Sequence, residues 1–112
     1  QEVEPLAECR MEQRGAVLTV WLGGEIDHHA AGQLRAGIDA RILAAMPQRV
    51  LLDFGGVTFM DSSGIGLILG RQRLLGSTGG TLAVQGVSRP VARMLRLAGI
   101  DSVIPMEGSA AK

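Results

Sequence analysis

One carboxylate and two hydroxyls, followed by a glycine, form the most chemically suggestive segment of the sequence. Asp61, Ser62, Ser63 and Gly64 stand between an apolar segment, residues 50–54, and a segment with helical periodicity. A helix that begins here would present free backbone N–H groups and its positive dipole end, which favour an anion. One interpretation is that Asp61 or Ser62 only caps the helix. The other is that one serine hydroxyl is exposed and is modified, because a phosphate adds about −1.5 to −2 charges.

A second polar segment follows the preceding apolar run in the same way. Residues 17–22 are β-branched and apolar, and they lead into a segment that contains Glu25, Asp27 and His28. The carboxyl ends of neighbouring parallel strands meet at one edge of a sheet, so we expect both polar segments on a shared surface. Asp27 is well placed to cap the helix that follows. The alternative is that Glu25 and Asp27 are charges that face a partner.

The spacing of these residues disfavours catalysis and cofactor binding. A nucleophile elbow has glycine two residues before the serine, where this chain has Met60, and it needs a nearby histidine such as His28 or His29. Adjacent histidines point to different sides of a helix, and with the single cysteine, Cys9, they cannot form a closed zinc site. The glycines of residues 64–70 do not match the dinucleotide fingerprint, and no phosphate-binding GxxxxGK[ST] loop occurs. We therefore expect no catalysis, no metal and no cofactor.

Composition narrows the class of protein further. The chain has 112 residues, of which 46% are hydrophobic and 20% charged, as in one soluble domain. Its 11 basic and 11 acidic residues give a net charge of +0, so no general field attracts nucleic acid or an anionic membrane. The longest apolar stretches are far shorter than the about 18 to 20 residues that cross a bilayer. A single cysteine fits the reducing cytoplasm.

Strand and helix patterns alternate along the chain and predict an α/β fold. The apolar runs are continuous, which is typical of a mostly parallel, covered sheet, here of about four to five strands with about three to four helices. Strands are predicted at residues 9–14, 17–22, 50–54 and 81–85 and a short one at 102–104, the first two forming an antiparallel edge hairpin. Residues 55–61 are predicted to be a loop. Helices are predicted after Asp27, over residues 64–76 and after Ser88.

Two expectations concern chain ends and helix glycines. Residues 1–8 are expected to be a flexible segment, residues 9–107 a single domain and residues 108–112 a tail. Gly66 and Gly70 each cost a helix about 1 kcal/mol relative to alanine, so we expect them to allow close packing against the sheet or a partner.

Four separated segments together resemble the STAS family of anti-sigma factor antagonists, namely residues 22–29, 59–66, 68–71 and 88–99. The double histidine and the Ile-Leu-Gly-Arg run favour the sporulation branch, whose members antagonise anti-sigma-F, over the general-stress branch. The resemblance covers about residues 9–107 and implies the STAS fold.

The resemblance implies a partner-switching module without catalysis of its own. Such proteins bind an anti-sigma factor that is also a serine kinase and thereby release the sigma factor. The kinase then phosphorylates the antagonist, here on Ser62, and a serine phosphatase reverses the modification. The resemblance assigns partner binding to the residues around that serine and in the preceding polar segment: Glu25, Asp27, His28, Asp61, Ser63 and Gly64.

Two features depart from the family pattern, and one alternative stays open. The family continues into a further C-terminal helix, which we expect to be short or absent before Lys112, and Gly55 and Gly56 add flexibility before the serine. The alternative is a STAS domain that serves as an adaptor in a transport or signalling complex and is not phosphorylated.

Overall fold

The structure, a computed structural model, describes residues 7–107. Strands and helices alternate over most of this range, as the hydrophobic pattern predicts. In chain order the elements are β1 (Ala7–Arg14), β2 (Val17–Ile26), α1 (His28–Ala45), β3 (Arg49–Met60), α2 (Ser62–Thr78), β4 (Thr81–Gln85), α3 (Arg89–Leu97), a 3-10 turn (Ile100–Ser102) and β5 (Met106–Glu107).

The strands of residues 7–107 form one five-stranded sheet in the order β1-β2-β3-β4-β5. β1 and β2 pair antiparallel, and the remaining pairs are parallel. Parallel neighbours need a crossover connection, which α1 supplies between β2 and β3 and α2 between β3 and β4. The predicted fold, a mostly parallel sheet with an antiparallel hairpin at its N-terminal edge, is confirmed.

The core is almost entirely aliphatic, as the low aromatic content predicts. Alternate residues of each strand point to opposite faces, and one face is buried with the apolar sides of the helices. The opposite face of β2 and β3, which we call the second face, carries half-buried side chains such as Trp21 and Asp53. The buried residues of β2, β3 and α1 are Leu18, Val20, Leu22, Ile26, Val50, Leu52, Phe54, Val57, Met60, Ala30, Ala31, Leu34, Ile38 and Ile42.

The prediction of a loop over residues 55–61 is wrong, because β3 continues to Met60. The end of β2 continues beside it, with Gly23 paired to Gly56 and Ile26 to Met60 through two register shifts. A Cβ on Gly56 would lie 3.2 Å from the Cα of Gly23, so this glycine permits close approach of the two backbones. Hydrogen bonds between the strands therefore outweigh the local turn preference of the glycines.

The predicted strand over residues 102–104 is also wrong. Gly99, with φ +77°, follows the end of α3, and the chain then forms a 3-10 turn over Ile100–Ser102. The Ile100 carbonyl oxygen accepts hydrogen bonds from Val103 N at 3.0 Å and from Ile104 N at 2.9 Å. These turn bonds delay the last strand until after Pro105, where β5 begins.

The chain ends fall partly outside the described residues. Of the segment predicted to be flexible, residues 1–6 lie outside them, whereas Ala7 already belongs to β1. The predicted tail, residues 108–112, and the question of a C-terminal helix lie outside them as well. None of the helices in residues 7–107 is both long and apolar enough to span a bilayer.

A buried arginine joins the two long helices. Arg71 of α2 is 4% exposed, and its Nε lies 2.6 Å from Asp39 Oδ1 of α1 as an ion pair without the alignment of a hydrogen bond. Arg71 Nη2 donates to Asp39 Oδ2 at 3.2 Å, and Nη1 donates to the Leu67 carbonyl at 3.3 Å. Burial lowers the pKa of the guanidinium, and the Asp39 carboxylate opposes that shift. The pair thus fixes α1 against α2.

Candidate functional site

The two polar segments of the sequence lie together at the carboxyl edge of the parallel strands. The backbone N–H of Asp61 donates to the Ile26 carbonyl oxygen at 3.2 Å, one residue before Asp27. Ile26 and Met60 are paired at the ends of β2 and β3. The N-termini of α1 and α2 therefore begin side by side, which brings the first polar segment next to the serines.

Both helices at this edge are capped by an aspartate. Asp27 Oδ1 accepts a hydrogen bond from Ala30 N at 2.9 Å, and Asp61 Oδ1 accepts one from Ser63 N at 2.8 Å. Both caps have extended backbone, which is the usual conformation of a residue that precedes a helix. Asp61, rather than Ser62, is thus the cap of α2, and Asp27 caps α1 as its position in the sequence predicts.

Since Asp61 supplies the cap, Ser62 is not needed for it. Ser62 is the first residue of α2 and is exposed, whereas Ser63 is half-buried. Neither hydroxyl makes a hydrogen bond to another group within residues 7–107. Ser62 therefore presents a free hydroxyl to solvent at the positive end of the helix dipole.

Gly64 has a structural task beneath the serines. It is buried, and a Cβ at this position would lie 2.2 Å from Met60 Sδ and 2.3 Å from Met60 Cγ. A side chain here would force the buried Met60 side chain to shift, so glycine lets the first turn of α2 sit close on the end of β3. The close packing at Gly64 therefore helps to determine where Ser62 and Ser63 lie.

A groove of about 350 Å³ runs between the first turns of α1 and α2. A Cβ on Gly66 or on Gly70 would meet nothing within 4 Å, so these glycines do not serve close packing on the sheet, and the alternative of close packing against a partner stays a prediction. Arg35, which the sequence patterns did not single out, brings a cation to this groove. Its lining residues are His28, Ala31, Gly32, Arg35, Ser63, Gly66 and Leu67.

Glu25 and Phe59 form an exposed pair beside the serines. They are Cα partners across β2 and β3, and Phe59 is 52% exposed. Phe59 was missed because residues 55–61 read as a loop, in which no face can be assigned. The signal that could have found it is its position next to Met60, since neighbours in a strand point to opposite faces.

Comparison with known proteins gives these positions a context. The family model for the STAS domain matches residues 8–112. The chain belongs to the STAS-domain family. A similar relative is the anti-sigma F factor antagonist of Paenibacillus polymyxa, 38% identical over 99 residues that cover 88% of this chain and 85% of the relative.

Two solved structures resemble this STAS domain, both of the protein SpoIIAA. The anti-sigma factor antagonist SpoIIAA in its unphosphorylated form is 31% identical, with a TM-score of 0.78 over 88% of this chain and 87% of that one. The Bacillus cell fate determinant SpoIIAA in the phosphorylated form is 30% identical, with a TM-score of 0.71 over 88% of this chain and 90% of that one.

The side chains of this STAS domain that are chemically suited to catalysis or metal binding lie apart from one another. No serine hydroxyl donates to a histidine in the described part of the chain, and His28 and His29 are exposed. Residues 7–107 also contain no cluster of three or more His, Cys, Asp or Glu residues placed to hold a metal ion. The Cys9 residue is exposed, but desolvation by neighbouring groups raises the pKa of its thiol, which disfavours the reactive thiolate.

Proposed function

We propose that this STAS domain is an anti-sigma factor antagonist that is switched by phosphorylation of Ser62. Unmodified, it binds an anti-sigma factor with serine kinase activity and so releases the sigma factor. Phosphorylation by that kinase ends the binding, and a serine phosphatase restores it. The role requires no catalysis by this chain and places it in the cytoplasm, in keeping with a single cysteine.

The observation that carries the proposal is the exposed, unbonded hydroxyl of Ser62 on the first turn of α2. A kinase needs a hydroxyl that it can reach, and Ser62 is exposed where Ser63 is half-buried. The cap bond from Ser63 N to Asp61 does not involve Ser62, so modification leaves that bond intact. This chain is similar to antagonists, one of which has been solved in unphosphorylated and phosphorylated forms. That similarity supports a switch by phosphorylation in this chain as well.

The position of Ser62 explains how a phosphate could block a partner without unfolding the domain. The free N–H groups and the positive dipole end of α2 stabilise added negative charge. Asp61 and Glu25 lie at the same edge, so a phosphate there also builds a cluster of like charge with a strongly hydrated shell. A coupling of about 3 kcal/mol would lower the affinity for the partner more than a hundredfold.

The partner would dock on the edge that contains both helix starts. Asp27 and Asp61 shape this edge because they cap the two helices. Gly64 contributes because it lets α2 pack closely on Met60. The residues that reach the surface of this edge are Ser62 and the side chains around it, with Glu25, His28 and Ser63 as the predicted contacts. The anti-sigma factor is therefore expected to bind a surface formed by two successive strand–helix junctions.

The test is phosphate transfer from ATP by an anti-sigma factor kinase encoded in the same genome. Intact-mass analysis followed by fragment mapping should show one phosphate on Ser62 in the wild type and in Ser63→Ala, and none in Ser62→Ala. Tight binding without any phosphate would indicate the adaptor function instead. Phosphate that maps to Ser63 would contradict the assignment.

A further inference from the structure

The longer of the two sheet edges within residues 7–107 is β1. It has eight residues, Ala7–Arg14, whereas β5 at the other edge has two. Its pairing with β2 runs residue by residue without a shift, so no bulge interrupts it, and the strand contains no proline or lysine. Bulges, prolines and lysines are features that commonly keep an edge strand from pairing with another chain. β1 has none of these features.

Every second residue of β1 points its backbone N–H and C=O groups away from β2. A two-residue turn follows Arg14, with Gly15 in its first position at φ +59°, as in a type II′ hairpin. The pair that flanks such a turn exchanges both hydrogen bonds, and bonded pairs then alternate with unbonded ones along the strand. The outward groups therefore include those of Cys9, Met11 and Gln13. They have no backbone partner within residues 7–107, because no strand lies beyond β1 there.

The side chains of β1 on the second face alternate in charge. Arg10 is the Cα partner of Trp21, and its guanidinium stacks over that ring at 4.3 Å from the centroid. The residues of β1 that share this face are Glu8, Arg10, Glu12 and Arg14. Arg14 pairs with Glu12 at 3.2 Å, whereas Glu8 and Arg10 form no ion pair within residues 7–107. A strand with the opposite order of charges would complement this row.

A second copy of β1 supplies that order when it runs antiparallel and is centred on Met11. Glu8 of one copy then lies opposite Arg14 of the other. Arg10 lies opposite Glu12 in the same way, and the two-fold relation repeats both pairs. A shift of two residues in either direction would instead set like charges opposite one another, and a shift of four would halve the number of charged pairs. Opposite charges directly across an antiparallel pair stabilise it, and like charges destabilise it.

The same register suits the backbone of the edge. Met11 faces Met11 of the second copy, and Cys9 faces Gln13, so all of these facing residues direct their N–H and C=O groups toward the other strand. The arrangement is a closed two-fold interface, in which each copy uses the same residues. Met11 is partly buried against the core, so a second Met11 beside it extends that apolar contact across the joint.

We propose that this chain forms an antiparallel dimer in which β1 of each copy pairs about Met11 and joins the two sheets into one. Ala7 is paired with Gly24 near the end of β2 that leads to the serines. The serine edges of the two copies therefore lie at opposite ends of the joint sheet, and the pairing covers neither of them. The inference goes beyond the proposed function and does not depend on phosphorylation of Ser62.

Sedimentation equilibrium should measure the dimer dissociation constant of the full-length wild type, Arg10→Glu, Glu12→Arg and Arg93→Glu. Arg93 is the matched control, because it is exposed on α3 and undergoes the same change of charge. Each β1 variant places like charges across the joint, so we expect its dissociation constant to rise about tenfold or more. Arg93→Glu should dimerise as the wild type does, and added salt should weaken the wild-type dimer.

An equimolar mixture of Arg10→Glu and Glu12→Arg separates the inference from a damaged strand. Opposite charges face each other again in the mixed dimer, so the mixture should associate about as tightly as the wild type. Amide hydrogen exchange should slow with rising protein concentration at Met11 and Gln13, whose N–H groups point outward, and stay unchanged at Arg10, which is already bonded to β2.

Three results would overturn the proposed dimer. The first is a wild type that stays monomeric up to about 1 mM, the weak limit of specific association. The second is a mixture of the two charge variants that associates no better than either variant alone. The third is concentration-dependent protection that lies outside β1. The phosphorylation test of Ser62 is unaffected by any of these results, so the proposed function stands or falls separately.

Discussion

Gly64 lies so close to Met60 that a Cβ on the glycine would stand 2.2 Å from the methionine Sδ. Met60 is itself 4% exposed at the end of β3, where it has little room to move away. The absence of a side chain at residue 64 thus lets α2 begin directly on the last residue of the strand. The position of Ser62 follows from that contact.

Alanine at residue 64 and at residue 66 should have opposite effects on stability. Gly64→Ala forces the Met60 side chain to shift, which costs about 1–3 kcal/mol as overpacking does elsewhere. Gly66→Ala meets no atom within 4 Å and gains helix propensity, about 0.5–1 kcal/mol. Urea denaturation should move the two midpoints in opposite directions, and equal shifts would contradict the packing described for Gly64.

Removal of the α2 cap should destabilise the domain. Asp61→Ala deprives Ser63 N of its acceptor, at a cost of about 1 kcal/mol, while Asp61→Asn keeps an acceptor and should cost less. Asp101→Ala, at an exposed residue of the 3-10 turn, is the control for loss of one carboxylate. Thermal unfolding should rank Asp61→Ala as the least stable of the three variants. Equal stability of Asp61→Ala and Asp61→Asn would argue against the cap.

Mutation of the two partners in the ion pair between α1 and α2 should lower stability by different amounts. Asp39→Ala leaves the Arg71 guanidinium buried without a counter-charge, which typically costs about 3–5 kcal/mol. Arg71→Met removes the buried charge, and the Asp39 side chain, 29% exposed, can still be hydrated. Denaturation in guanidinium chloride should therefore show a smaller loss of unfolding free energy for Arg71→Met than for Asp39→Ala. A larger loss for Arg71→Met would show that the guanidinium stabilises more than its burial costs.

Local signals were sufficient for some elements of the fold. The caps at Asp27 and Ser88 and the strand over residues 81–85 were predictable, because a capping side chain or a β-branched run acts on its own neighbours. Asp61 was identified only as one of two possible caps. The choice between it and Ser62 depended on backbone geometry that composition does not determine.

Features that depend on distant pairing were not predictable. The continuation of β3 through Gly55 and Gly56 depends on the end of β2, and the exposure of Phe59 depends on that continuation. Arg71 looks like an ordinary polar helix residue until α1 places Asp39 beside it. In each case a partner far along the chain, rather than local propensity, decided the outcome.

Substitution of Ser62 should separate binding from switching. Ser62→Ala should bind the kinase as the unmodified protein does but stay bound after ATP is added, and Ser62→Asp should bind more weakly because it places negative charge at the docking edge. Ser77→Asp adds the same charge in the last turns of α2 and is the control. Titration calorimetry with and without ATP measures each affinity. Identical affinities for all three variants would refute the switch.

The reactivity of Cys9 should rise only at alkaline pH. Desolvation by neighbouring groups raises the pKa of this exposed thiol, and the thiolate is the species that reacts with iodoacetamide. The pH midpoint of the alkylation rate should therefore lie above that of glutathione measured in parallel. Cys9 is the only cysteine of the chain, so mass analysis reports this site alone. A midpoint at or below that of glutathione would contradict the effect of desolvation.

The order of the strands in the sheet is also their order along the chain. Each strand after β1 therefore pairs with the strand that was synthesised immediately before it. Only the β1–β2 hairpin closes over a short turn, and each parallel pairing closes over one helical crossover, whose entropic cost rises slowly with its length. As it leaves the ribosome, such a chain can add strands to the sheet from its N-terminus onward, while the outer edge of β1 and the edge of the newest strand stay open to other partners.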